Sequence, residues 1–112
     1  AETSGEWVTA NRLYQQILVK NQDNKDIIFA TAESYRRIGE YDKAISLYDA
    51  AIAKDNSFIA AKEGKGLALL SKGDFDTPTV LFEDVIKTDA TRWKTLNALG
   101  ILFTTRGMHT EA

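Results

Sequence analysis

The chain of 112 residues has no cysteine, one proline, one methionine and one histidine. Without cysteine there is no disulfide, thiolate nucleophile, zinc finger or iron–sulfur cluster, although reducing and oxidising compartments both tolerate such chains. A lone histidine, His109, gives a Ser–His–Asp triad or a multi-histidine metal site little to work with. Neither charge sign is in excess: 14 basic residues are interleaved with 16 acidic ones, for a net charge of −2. Phosphate-neutralising surfaces need clustered Lys and Arg, so a nucleic-acid partner is not expected. No apolar run approaches the roughly 20 residues of a membrane span, so direct membrane insertion by this stretch is not expected either. The N-terminus does not read as a signal peptide, and one removed before Ala1 would leave no trace.

What is present is ordinary in amount and unusual in arrangement. Hydrophobic residues make up 44% and charged residues 27% of the chain, as in a soluble globular domain. A chain of this length buries roughly two-thirds of its unfolded surface and holds a core without staples.

Gly5, Gly39, Gly73 and Gly107 recur every 34 residues. Two positions after each stand Trp7, Tyr41, Phe75 and His109, and three further on Ala10, Ala44, Pro78 and Ala112. The register continues through Tyr14, Tyr48 and Phe82, and through Ile17–Leu18, Ala51–Ile52 and Val85–Ile86. Ahead of the glycines, Ala32, Gly66 and Gly100 keep the same spacing, as do Tyr35, Leu69 and Phe103. A fixed period of this length is the signature of stacked supersecondary units.

Within one period the pattern is helix, tight turn, helix. Ile28, Ala32, Tyr35 and Ile38 recur at helical spacing and make one face apolar. Gly39 ends that helix by entering the left-handed region. Asp42 is positioned to cap the next helix, whose apolar face carries Ala44, Ile45, Tyr48, Ala51 and Ile52. The stretch KDNS stops it with turn-forming residues. Short connections of about three to five residues make successive helices antiparallel. The small residues Ala32, Gly66 and Gly100 let paired helices approach closely, and Tyr41 and Phe75 fill the closed end of each pair. One hairpin cannot bury its own apolar face, so neighbours must stack into a solenoid.

The phrase AESYRRIGEYDKAISLYDAAI, with LNALGILFTTRGMHTEA repeating its first half, resembles the tetratricopeptide repeat (TPR), a 34-residue unit of paired helices. The resemblance covers essentially the whole chain. It implies an all-α solenoid, a right-handed superhelix of antiparallel helix pairs, with about six helices near 6–21, 25–38, 42–54, 59–72, 76–88 and 93–106. The divisions are the second half of a repeat over 1–24, full repeats over 25–58 and 59–92, and the first half of a repeat over 93–112. On this reading the chain begins and ends mid-repeat and is expected to be a piece of a longer protein.

Two positions depart from the pattern. Pro78 stands where the family has a small residue; proline is tolerated in a helix's first turn, with Asp76 or Thr77 positioned to cap before it. That helix is expected to start late and the repeat to survive. His109 stands where an aromatic is usual and reads as a turn-packing substitute.

Catalytic chemistry finds little support. EGKGLALL (63–70) has Gly-Lys-Gly but lacks the Ser/Thr and the leading glycine of a phosphate loop, and the period places it inside a helix. Asp42, Asp49, Asp74, Asp76, Glu83 and Asp84 fall at helix starts and on outer faces, where capping and solubility account for them. The stripe Trp7, Tyr14, Tyr35, Tyr41, Tyr48, Phe75 and Phe82 has the spacing of the repeat's core, with no interleaved basic residues, so it is not a base-stacking platform. Trp93 lies off the repeat's usual tryptophan position and reads either as a partly exposed anchor or as a packing residue. Neither a catalytic residue, nor a cofactor, nor a metal is expected.

What remains is a binding surface. The resemblance implies that the first helices of the repeats line a concave groove, which here would carry Phe29, Glu33, Arg36 and Arg37, then Glu63, Leu67 and Leu70, then Lys94, Asn97, Ile101 and Thr104. Such a strip suits an amphipathic or extended peptide with a few apolar anchors. Leu67, Leu70 and Ile101 read equally well as packing residues between neighbouring helices. The family's clamp for chaperone C-terminal carboxylates uses Lys, Asn and Arg at set places. Those places hold Phe29, Glu33, Gly64, Lys94 and Ala98, of which only Lys94 fits.

The segment TRWKTLNALGILFTTRGMHTEA is also similar to one in TadD-type pilus-assembly lipoproteins, where a tryptophan opens the helix before LNALG and a G-x-H-x-E-A phrase follows. That resemblance implies a scaffold at the inner face of a bacterial outer membrane, helping to assemble the secretin and Flp pilus by protein contacts, with its lipid-bearing cysteine upstream. The alternatives are a TPR module of a larger cytoplasmic or regulatory protein, and a structural protein that self-associates through incomplete terminal repeats.

Overall fold

The computed structural model describes residues 2–89, 92, 95–102 and 104. Five helices run in order: α1 (Glu2–Lys20), α2 (Lys25–Arg37), α3 (Tyr41–Lys54), α4 (Ile59–Lys72) and α5 (Asp76–Thr88). A sixth, α6, is described over 95–102. Each packs mainly on its neighbours in sequence, α1 on α2 through α4 on α5. The fold is the expected all-α stack of antiparallel hairpins. His109, Trp93 and Lys94 lie outside the described residues, as does Gly107.

Gly39 and Gly73 end α2 and α4 with φ of +86° and +96°, conformations that a side chain strains and glycine adopts freely. Gly5 does not follow them. It lies inside α1, which starts at Glu2, and accepts a bond through its carbonyl from the Thr9 hydroxyl at 3.2 Å. The 34-residue period predicts a turn there; the helix instead continues through it.

The caps also differ from expectation. Asn24 caps α2, its side-chain oxygen accepting from the Asp26 and Ile27 amides at 3.0 and 3.3 Å. Asp42 is not the cap of α3: it lies in the first turn, behind Glu40, and its carboxylate pairs with Lys72 of α4. Ahead of Pro78 the capping carboxylate is neither Asp76 nor the capping hydroxyl Thr77. Asp74 accepts from both of those amides, at 3.1 and 3.2 Å. Helix α5 begins at Asp76, one residue later in the register than α3, and Pro78 sits buried in its first turn, where its missing N–H has no helical partner to lose.

The core is continuous in kind and divided in place. One cluster gathers Ile28, Ala32, Ala44, Tyr48, Ala51, Ala61 and Ala68; a second gathers Phe82, Ala98, Leu99 and Leu102. Tyr48 and Phe82 are the largest fully buried side chains, and each burial of this size contributes about 1.5–3 kcal/mol. Both rings meet α4. A methyl at Gly64 would lie 2.5 Å from the Tyr48 ring, and one at Gly66 would overlap the Phe82 ring. The close approach expected of Gly66 is therefore real, and Ala32 is fully buried in the first cluster. Gly100 is exposed, with nothing near its would-be Cβ.

Candidate interaction groove

The first helices of the hairpins form the inner row. Helices α2 and α4 touch directly, whereas α1 and α3, and α3 and α5, make less contact across the outer row. Closer packing on one side curves a stack toward that side, which puts α2 and α4 on the inner side; the expected groove strip runs along α2, α4 and the described part of α6.

At the α2 end the strip is aromatic and ionic. The Phe29 ring is tilted against Tyr48 at 6.0 Å and against Phe58 at 5.1 Å. Glu33 accepts from the Tyr48 hydroxyl and from Arg36 Nη2 at 2.9 Å, while Arg36 Nε donates to the Tyr48 oxygen at 3.0 Å. Burial, with the neighbouring carboxylate of Glu33, pushes the Tyr48 phenol well above the ordinary tyrosine range. Burial works against the Arg36 charge, but Tyr48 and Glu33 outweigh it and keep the guanidinium protonated. Both charged side chains are about four-fifths covered, so this triad is a rigid part of the wall. Arg37 diverges from it, its guanidinium lying 5.3 Å from the Trp7 ring of α1.

In the middle, Glu63 does not face the groove as an open carboxylate. It is only 6% exposed, accepts from Arg92 Nε at 3.2 Å and Nη2 at 2.9 Å, and accepts from the Thr95 hydroxyl. The hydrogen bonds that Arg92 donates to Glu63, with the charge of that carboxylate, raise the Arg92 pKa against the cost of partial burial. Leu67 and Leu70 are half-buried against the Phe82, Ala98, Leu99 and Leu102 cluster, so each has a packing contact as well as surface left uncovered.

The α6 end is open. Leu96, Asn97, Gly100, Ile101 and Thr104 line a shallow depression of about 440 Å³, with Leu96 and Ile101 48% and 53% exposed. Ile101 thus keeps about half of its surface open at this end. The expected strip divides into a fixed wall (Phe29, Glu33, Arg36), an interior stretch (Glu63, Leu67, Leu70) and an accessible end (Asn97, Ile101, Thr104). Leu96, missed by sequence reasoning, joins that end; it stands four residues before Gly100 and eight before Thr104, and that helical spacing was the available signal.

Among the described residues no cluster of three or more His, Cys, Asp or Glu side chains could hold a metal ion, and no helix is long and apolar enough to cross a membrane.

The sequence matches the tetratricopeptide-repeat family over residues 1–57 and again over 29–77. The chain belongs to the tetratricopeptide-repeat family. No curated relative matches it. Among solved structures, the first TPR domain of Spaghetti (RPAP3) bound to the HSP90 peptide SRMEEVD superposes with a TM-score of 0.85 at 18% identity, over 94% of this chain and 83% of that one. The type III secretion chaperone SycD of Yersinia enterocolitica, in complex with a peptide of the translocator YopD, gives 0.80 at 16% identity, over 94% and 86%. MamA of MSR-1 gives 0.79 at 20% identity, over 98% of this chain and 63% of that one. At these identities the likeness is one of fold.

Proposed function

We propose that this TPR domain is a non-catalytic adaptor that binds a peptide or helix in its concave groove. The observation that carries this reading is the accessible α6 end, where exposed Leu96 and Ile101 stand beside Asn97 and Thr104. Two apolar anchors among neutral hydrogen-bonding groups suit an amphipathic segment. Two proteins of the same fold are seen with peptides bound, which agrees with this use of the architecture. An HSP90-type C-terminal carboxylate is a poor candidate ligand here, because Phe29, Glu33 and Gly64 occupy places where the clamp needs cations or amides.

Selection of 12-residue peptides from a random display library tests the reading. Selected peptides should lose at least tenfold in affinity for Ile101→Arg and keep it for Val80→Arg, a change on exposed α5 surface. Peptides that bind both variants like the parent would place recognition elsewhere.

The finer assignment, to secretin and Flp pilus assembly at an outer membrane, rests on the phrase TRWKTLNALG and its continuation. Deletion of the gene should then abolish surface pili; normal piliation removes the assignment. Self-association is supported by Ile17, 41% exposed, whose register partner Ala51 is wholly buried. Light scattering that shows a monomer at every concentration excludes it.

A further inference from the structure

A second concavity lies on the opposite side of α2. Helices α1 and α3 both pack on α2 but make little contact with one another, and the space between them is a cleft of about 510 Å³. Thr31 and Tyr35, one turn apart on α2, form its floor; Leu18 and Val19 of α1 and Lys43 and Leu47 of α3 form its walls. At roughly 100° per residue, Thr31 and Tyr35 point away from Phe29, Glu33 and Arg36, so this cleft and the concave groove do not share a wall of α2. Its volume is that of a ligand site, and Val19, at 70% exposure, leaves apolar surface at its rim.

The charges around the cleft decide what fits it. No carboxylate lines it, and Lys43 is its single cation. The acidic residues of α3 are engaged on its other side, Asp42 with Lys72 and Asp49 with Lys65. Lys43 has no carboxylate partner among the described residues; its ammonium lies 5.7 Å from the centre of the Tyr35 ring. A cation held over an aromatic floor, next to Leu47 and Leu18, is complementary to a carboxylate adjoining apolar side chains. We propose that this outer cleft docks an acidic amphipathic segment of a protein partner, its apolar side chains against Leu18, Val19 and Leu47 and a carboxylate on Lys43.

The probe is a 12-residue helix-forming peptide with Leu at every third or fourth position and Glu between, titrated into the ¹⁵N-labelled domain. Amide shifts should concentrate at Leu18, Val19, Thr31, Tyr35, Ser46 and Leu47. Lys43→Glu and Val19→Gln, both at exposed positions, should weaken binding at least tenfold and about threefold respectively. A matching peptide with Lys in place of Glu should bind at least tenfold more weakly. Ile101→Arg should leave binding unchanged, so a failure of the concave-groove reading and a failure of this one are distinguishable. Shifts confined to the concave strip, equal binding of the basic peptide, or no saturation at millimolar peptide would each overturn the proposal.

Discussion

Glu63 and Arg92, 29 residues apart, form a two-point ion pair with nitrogen–oxygen separations of 3.2 and 2.9 Å. The carboxylate is buried, and its third donor, the Thr95 hydroxyl, stands at the start of the described part of α6. Glu63 thus fastens α6 to α4 from inside the stack. Glu63→Gln keeps the shape and removes the charge that all three donors use. Losing charge-assisted bonds of this kind costs about 1.5–3 kcal/mol. Hydrogen exchange should rise over 95–102 before it rises in α2 and α3, and an unchanged pattern would mean that the pair contributes nothing to docking.

The glycines of α4 are expected to resist the commonest stabilising substitution. Gly64→Ala and Gly66→Ala each gain about 1 kcal/mol in helix propensity but drive a methyl into Tyr48 or Phe82. Overpacking of that sort costs about 1–3 kcal/mol, so both variants should be less stable than the parent in urea unfolding. Gly5→Ala, which meets nothing within 4 Å, should be more stable by about 0.5–1 kcal/mol.

Asp55 contributes to the acid response, as does Asp84 beside Lys62. The Asp55 pKa is lowered to about 2, first by the hydrogen bond from Lys25 and then by the Ser57 hydroxyl and amide. The folded value lies below the unfolded one, near 3.9, so the contribution is complete above that value and is lost as the pH falls toward 2. Thermal unfolding temperature should drop between about pH 4 and pH 2, and Asp55→Asn should flatten that part of the curve.

Tyr48 works in the opposite direction. Burial and the Glu33 carboxylate favour its neutral form, so the stability it contributes is full below the ordinary tyrosine pKa of about 10 and declines as the pH rises past it. An ultraviolet titration should show one phenol ionising only as the protein unfolds at alkaline pH. Tyr48→Phe, which takes one hydrogen-bond partner from Glu33 and one from Arg36, should cost about 1–2 kcal/mol.

Helix positions were legible in the sequence because they depend on local periodicity and turn chemistry. The predicted spans for α4 and α5 coincide with those observed, and Gly39 and Gly73 do what their spacing implies. The helix starts were less legible. Asp42 and Asp76 are adjacent to the capping position, and only the geometry of Glu40 and Asp74 tells a first-turn acid from a cap. The groove was half legible. The repeat register identifies one face of α2, α4 and α6, but whether Glu63 is open or buried depends on Arg92, far along the chain, and no period predicts that meeting. The outer cleft was not legible at all, since it is the space left between α1 and α3, which share no sequence contact.

Gly64 and Gly66 are two residues apart on one helix and so face roughly opposite ways. One admits a ring from α3 and the other a ring from α5. The separation of those two outer helices is therefore gauged by two aromatic rings, each seated directly on the glycine backbone of α4. Splaying the stack at its centre would lift one of those rings off α4 and open a void beside a glycine that has no side chain to fill it.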